Sequence, residues 1–246
     1  GFNARASNES SFATPFAEEE VETWELGLKS DLLDYRLRFN VALFTNDYTD
    51  IQIAQFEAGS GGASSRIVNA GAGIYEGIEF DVVCVPVDRL TLDLTYGYLD
   101  ADFDEYVALN PATNRLEDIS GRTTVAQAPE NSASFGAQYD FAPFAFGALS
   151  ARIDVAYKDG FVFHPFNNQY DSAEDRTLLN GRISLNDIDV SGCCRAGGSL
   201  RLSLWGKNLS DEDYRNWGID FGSLGFAGNV YGEPRTYGLD LVYVYE

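Results

Sequence analysis

The 246 residues carry 38 acidic against 17 basic side chains, a net charge of −21, with 45% apolar residues. That balance excludes a nucleic-acid binder, which needs a basic footprint. A mean hydropathy of −0.20, with no apolar run near the roughly 18 residues a membrane helix needs, excludes a helical membrane protein.

What remains is alternation. Nine segments read as strands, at about 20–30, 35–57, 66–84, 89–101, 131–141, 148–160, 177–188, 199–208 and 234–245. Successive side chains of a strand point oppositely. In the second strand, Tyr35, Leu37, Phe39, Val41 and Leu43 therefore share one face, and Arg36, Arg38, Asn40 and Ala42 the other; an irregularity falls near Asn46–Asp50. In the fourth, Leu90, Leu92, Leu94, Tyr96 and Tyr98 oppose Thr91, Asp93, Thr95 and Gly97. In the sixth, Leu149, Ala151, Ile153, Val155 and Tyr157 oppose Ser150, Arg152, Asp154 and Ala156. The fold class is all-β.

A soluble sandwich shares this pattern, but three features favour an antiparallel transmembrane β-barrel. The segments run to about 9–13 residues, against about 5–6 for soluble strands and about 9–11 for a tilted membrane strand. Short turns at 31–34, 85–89, 142–148 and 189–198 alternate with long connections at 58–65, 102–130, 161–176 and 209–233, the asymmetry of outer-membrane barrels. Trp24, Tyr48, Tyr96, Tyr98, Tyr157, Tyr243 and Tyr245 lie towards strand ends, where aromatic girdles sit.

Glu25, Lys29, Arg36, Arg38, Glu79, Asp81 and Asp93 share the polar parity. A basic residue on a lipid face costs about 2–4 kcal/mol at the midplane, so these seven are expected to face the lumen. Gly27, Gly77, Gly97 and Gly238 share that parity and leave room for something packed inside the barrel. Glu76 breaks the pattern by falling with Ile74, Ile78 and Phe80, which places it above the membrane, at a bulge, or out of the expected register.

Candidates for catalysis and metal binding are few. Asp100, Asp102, Asp104, Glu105, Glu117 and Asp118 crowd the longest connection but lack the glycine and distal glutamate of a calcium loop,. Cys84, Cys193 and Cys194 have no metal-ligand spacing,. His164 is the only histidine, so any histidine-dependent hydrolase would use it, yet no Gly-x-Ser-x-Gly elbow accompanies it. No catalytic residue, metal or cofactor is assigned.

Seven stretches carry a resemblance. Glu19–Ser30, Phe44–Gln52, Asn69-Ala70-Gly71 with Gly77–Asp81, Leu94–Ala101, Pro129-Glu130-Asn131, Lys207–Tyr214 and Pro234–Leu239 resemble, in order, the strand motifs of TonB-dependent outer-membrane receptors. In particular, Lys207-Asn208-Leu209-Ser210-Asp211-Glu212-Asp213-Tyr214 is similar to that family's "K-N-L-x-D-x-x-Y", and Pro234-Arg235-Thr236-Tyr237-Gly238 to its last strand. Asn208 and Asp211 are expected to organise the turn where a strand leaves the membrane. Leu239, Leu241, Tyr243 and Tyr245 alternate as a closing strand does, but Glu246 follows where the family commonly ends on an aromatic residue.

The resemblance implies a barrel of about 22 strands. Nine is an odd number, and no export signal precedes Gly1, so residues 1–246 are expected to be its C-terminal portion, with the plug domain and TonB-contacting segment outside the chain. It further implies the outer membrane of a Gram-negative bacterium. The implied partners are membrane lipid, the barrel assembly machinery, the TonB complex acting through a plug, and a small ligand such as an iron chelate. Loops on a rigid scaffold usually carry recognition, which makes Phe161, Phe163, His164, Phe166 and Tyr170, and in a second connection Trp217, Phe221, Phe226 and Tyr231, the candidate ligand-binding residues. A passive porin and an outer-membrane hydrolase are the rival readings.

Overall fold

A computed structural model describes residues 1–2, 15–59, 62–110, 113, 115–165, 169–189, 198–222 and 225–245. In chain order the strands are β1 (Glu20–Leu32), β2 (Leu37–Thr49), β3 (Gln52–Gly59), β4 (Gly62–Asn69), β5 (Gly71–Val87), β6 (Leu90–Asn110), β7 (Arg115–Asp118) and β8 (Asn131–Asp140). There follow β9 (Ala148–Lys158), β10 (Phe161–Val162), β11 (Ser172–Ala173), β12 (Arg176–Asp189), β13 (Ser199–Lys207), β14 (Arg215–Asp220), β15 (Ala227–Tyr231) and β16 (Thr236–Val244). Nine of them form one antiparallel meander in the order β1-β2-β5-β6-β8-β9-β12-β13-β16. These are the nine segments expected from alternation.

Register fixes the two faces. One row runs Phe39–Val82–Leu94–Phe135–Val155–Leu179 across six strands. Leu185–Leu202–Leu241 and Ile183–Leu204–Leu239 extend the same face to β16. The opposite face carries Lys29–Asn40–Asp81–Thr95–Ser134. No second layer covers the apolar face among the described residues: Leu26 is 73% exposed, Ile153 45% and Leu239 65%. A sandwich would have buried them against a second sheet; among the described residues this wall stands as a single layer.

The buried apolar side chains sit elsewhere. Ile53, Tyr106, Ala108 and Ile119 cluster beyond one rim, with Ile51, Ala70 and Phe103 packed on them. Val125, Val162, Phe163 and Ala173 are also buried, in the neighbouring connections. The long connections are thus more ordered than their sequence suggests. β3–β4, β6–β7, β10–β11 and β14–β15 are hairpins standing on the wall, because pairing satisfies backbone groups that a bare loop leaves to water.

The expected strand 35–57 is divided. β2 ends at Thr49, and Asp50, at φ 54°, breaks the ladder before β3 begins. At the opposite rim the chain reverses tightly: Leu33, Asp34 and Tyr35 all take positive φ between β1 and β2, and Arg89 does so between β5 and β6. Most of the expected turn at 189–198, with Cys193 and Cys194, lies outside the described residues, as does Glu246. Glu76 is resolved by its neighbours. It pairs with Thr45 and Asp100 in a register that runs unbroken from Gly73 to Cys84, so no bulge lies there; the row Trp24–Thr45–Glu76–Asp100 is where the apolar band stops.

Candidate functional site: a polar hollow under a packed rim

The polar face carries a hollow of about 670 Å³, lined by Glu25, Lys29, Asn40, Glu79, Asp81 and Lys158 among others. Of the charges lining it, Asp81 is held by a neighbouring side chain. Asn40 Nδ2 donates to both oxygens of Asp81, at 2.9 and 3.1 Å. Arg38 Nε meets Asp31 at 2.9 Å, and Arg36, at the turn, meets Asp88 at 3.3 Å and the Val85 carbonyl at 2.9 Å. Of the seven polar-parity residues, Glu25, Lys29, Glu79 and Asp81 line the hollow, Arg38 and Asp93 stand on the same face outside it, and Arg36 lies in the turn before β2.

Parity also points to Arg152, Arg182 and Asp240, which complete the face further along. Arg152 reaches across β8 to Asp93, with nitrogen–oxygen distances of 2.9 and 3.1 Å, and holds Asp154 as well. Gly136 lies beneath this bridge, opposite Asp93 on one side and Asp154 on the other. An added Cβ there would sit 2.3 Å from Arg152 Nη2, so the missing side chain is what lets the guanidinium cross. Asp240 accepts from Arg182 Nη1 at 3.0 Å and from Trp205 Nε1 at 3.1 Å. The Trp205 ring lies over Gly238. The space at Gly238 is thus filled by an aromatic from the next strand, and that at Gly77 by Phe44, where something inside the barrel was expected.

Where strands leave the sheet for the long connections, asparagines tie the rim. Asn69 Nδ2 donates to the Asp50 carbonyl at 2.8 Å and its Oδ1 accepts from the Ala17 N–H at 2.7 Å. Asn131 donates through its backbone N–H and its Nδ2 to Asp159, at 2.8 and 2.7 Å, and accepts from Tyr96 at 2.6 Å; Tyr157 donates to the same carboxylate. Asn208, buried and at φ 48°, donates to the Glu212 and Glu233 carbonyls and accepts from the Glu212 N–H. Asp211 pairs with Arg235 at 2.7 Å. Asn208 and Asp211 thus organise the exit of β13, as their residue types led us to expect.

Above the rim, the two aromatic connections meet. His164 and Trp217 stand edge to face with centroids 6.1 Å apart, and the Phe163 ring packs against Gly218. Phe163 is only 2% exposed and stands perpendicular to Phe161 at 5.6 Å. Tyr170 (52%), Trp217 (42%), Phe226 (56%) and Tyr231 (63%) are open, and Phe221 leans on Phe226 at 4.7 Å. Phe166 lies outside the described residues. No sequence signal marks the buried partner of His164, Asp171, whose carboxylate lies 2.8 Å from Nδ1. Burial pushes that carboxyl above the usual range, against the opposing pull of His164.

The family model for "TonB dependent receptor-like, beta-barrel" matches residues 1–209. The chain belongs to the TonB-dependent receptor family. Solved structures similar in fold include the ferric yersiniabactin uptake receptor FyuA from Yersinia pestis, with a TM-score of 0.70 at 20% identity, covering 93% of this chain and 30% of that one. The ferric-catecholate import receptor Fiu from K12 E. coli aligns with a TM-score of 0.63 at 20% identity, over 100% of this chain and 30% of its own. The copper transporter OprC aligns at 0.63 with 16% identity, over 94% and 32%. The chain spans about a third of the length of these receptors, so the nine-stranded meander corresponds to part of a TonB-dependent receptor wall. The rim residues Asn69, Asn131 and Asn208 and the hollow residues Glu25, Lys29, Glu79 and Asp81 all fall within the stretches that resemble that family, and the aromatic connections above the rim lie outside them.

Proposed function

We propose that this chain is the C-terminal portion of the barrel of an outer-membrane transporter that takes up a scarce ligand with TonB-supplied energy. The observation that carries the reading is the two-faced wall: an uncovered apolar side continuous across nine strands, and a hollow polar side. The first suits lipid in the outer membrane of a Gram-negative bacterium, after insertion by the barrel assembly machinery. The second suits a plug domain supplied by the rest of the protein, through which TonB acts. Glu25, Lys29, Arg36, Arg38, Glu79, Asp81 and Asp93 are then lumen residues. The chain is read as a transporter and not as an enzyme.

For the ligand we infer a ferric siderophore, with carbohydrate, haem and cobalamin as the other classes. Support comes from similar structures named for ferric yersiniabactin uptake and ferric-catecholate import. The open aromatic faces of Tyr170, Trp217, Phe226 and Tyr231 also suit ring-bearing chelators; Phe163 belongs to the loop packing. The full-length receptor, expressed in cells lacking their own iron receptors, should raise uptake of radiolabelled iron given as siderophore complexes. Uptake should vanish when TonB is deleted. Uptake indifferent to that deletion would overturn active import and favour passive diffusion.

A further inference from the structure

The β10–β11 hairpin closes on a carboxylate held away from solvent. Asp171 is 4% exposed, and its two oxygens lie 2.8 and 3.0 Å from His164 Nδ1. The Phe163 N–H donates to the Asp171 carbonyl at 2.9 Å, so both members of the pair are fixed by the same hairpin. The imidazole is 41% exposed and flanked by Trp217. Its Nε2, across the ring from Asp171, bonds to no described residue. A carboxylate on Nδ1 fixes tautomer and ring orientation and leaves Nε2 as the atom that meets a ligand. The neighbouring charges are Asp220 at the end of β14, which acts on Asp171, and Arg215 at its start, whose Nη1 donates to the Gln169 carbonyl. Arg122 lies two residues before Thr124, whose N–H donates to the Pro165 carbonyl.

We propose that His164, oriented by Asp171 and flanked by Trp217, is an anion-recognition site: the ring donates from Nε2 to an anionic oxygen of a ring-bearing ferric chelate, beside the indole. A metal ion bound directly is the weaker fit, because no group of three His, Cys, Asp or Glu converges among the described residues,. The proposal rests on the ferric-chelate reading above for the cargo and adds its charge.

The test measures binding of two probes to the full-length receptor at one neutral pH, a trianionic ferric tris-catecholate and an uncharged ferric tris-hydroxamate. His164→Gln should weaken only the anionic chelate, by about tenfold, the worth of one charge-assisted hydrogen bond. His164→Lys should keep the preference for the anion. Equal weakening of both chelates, no weakening, or binding of neither would overturn the site. TonB-dependent uptake with binding indifferent to His164 would overturn this inference alone. His164-dependent anion binding in cells whose uptake ignores TonB would overturn the transport reading alone.

Discussion

Gly136 offers a test of how the polar face is built. A Cβ at this position would lie 2.3 Å from Arg152 Nη2 and 2.3 Å from Asp93 Oδ2. Both atoms end flexible side chains, so the backbone need not move, but either displacement opens the bridge between β6 and β9. Arg152 and Asp93 are each 33% exposed, which discounts the pair towards surface values; a two-pronged bridge with a second carboxylate at this exposure is worth about 1–2 kcal/mol. Against that loss, replacing a strand glycine by alanine gains about 0.5–1 kcal/mol of backbone entropy. Gly136→Ala should therefore cost about 1 kcal/mol or less in the wild-type background. In an Arg152→Ala background the same change should stabilise by about 0.5–1 kcal/mol, leaving a coupling of about 1–2 kcal/mol. The measurement is a double-mutant cycle on the full-length receptor, from urea unfolding in lipid vesicles followed by tryptophan fluorescence. Additivity within about 0.5 kcal/mol would refute the idea that the glycine exists to let the guanidinium cross.

Two further outcomes follow from the wall and the rim. Leu94→Arg sets a charge on the apolar row and should destabilise the barrel in vesicles by about 2–4 kcal/mol, whereas Thr95→Arg, its neighbour on the hollow side, should cost little; equal costs would show that the faces are assigned wrongly. Asp118 accepts the backbone N–H groups of Ser120 and Tyr106, both at 3.0 Å, and these bonds lower its pKa below the ordinary carboxylate value. A lowered folded pKa means the contribution is complete above about pH 4 and is lost as pH falls through the lowered value. Amide-exchange protection at Tyr106 and Ser120 should drop in acid, and Asp118→Asn should lower it already at neutral pH. Protection constant through the acid range would refute this.

The wall was legible because its signal is local. A period of two over ten residues fixes strand and face together, and register follows once neighbours pair. The rest depends on contacts that no local pattern carries. The sequence places an irregularity near Asn46–Asp50, but only the positive φ of Asp50 shows that it divides one long segment into two strands. β10 and β11 are two residues each, too short for alternation to register. Arg152 and Asp93 stand on strands with a third between them, so parity puts them on one face but cannot pair them without knowing that Gly136 lies in the gap. Among the loop aromatics, residue type could not separate Phe163, which packs, from Tyr170, which is open: a benzyl group serves either role, and the choice is made by Gly218 from a connection more than 50 residues on.

The placement of the motifs explains why family was readable and ligand was not. The polar residues that carry the resemblance fall in two places: Glu25, Lys29, Glu79 and Asp81 line the hollow, while Asn69, Asn131, Asn208, Asp211 and Arg235 bond to backbone or to neighbouring polar side chains where strands leave the sheet. At that rim each strand loses its ladder partner on the edge of an apolar band, where an unmet N–H or C=O is costly. An asparagine side chain both donates and accepts, as a peptide does, so it can stand in for the lost partner in one fixed geometry. Such positions serve the wall itself. On the reading proposed above, recognition falls to the β10–β11 and β14–β15 hairpins, which meet at His164 and Trp217 and stand over the rim.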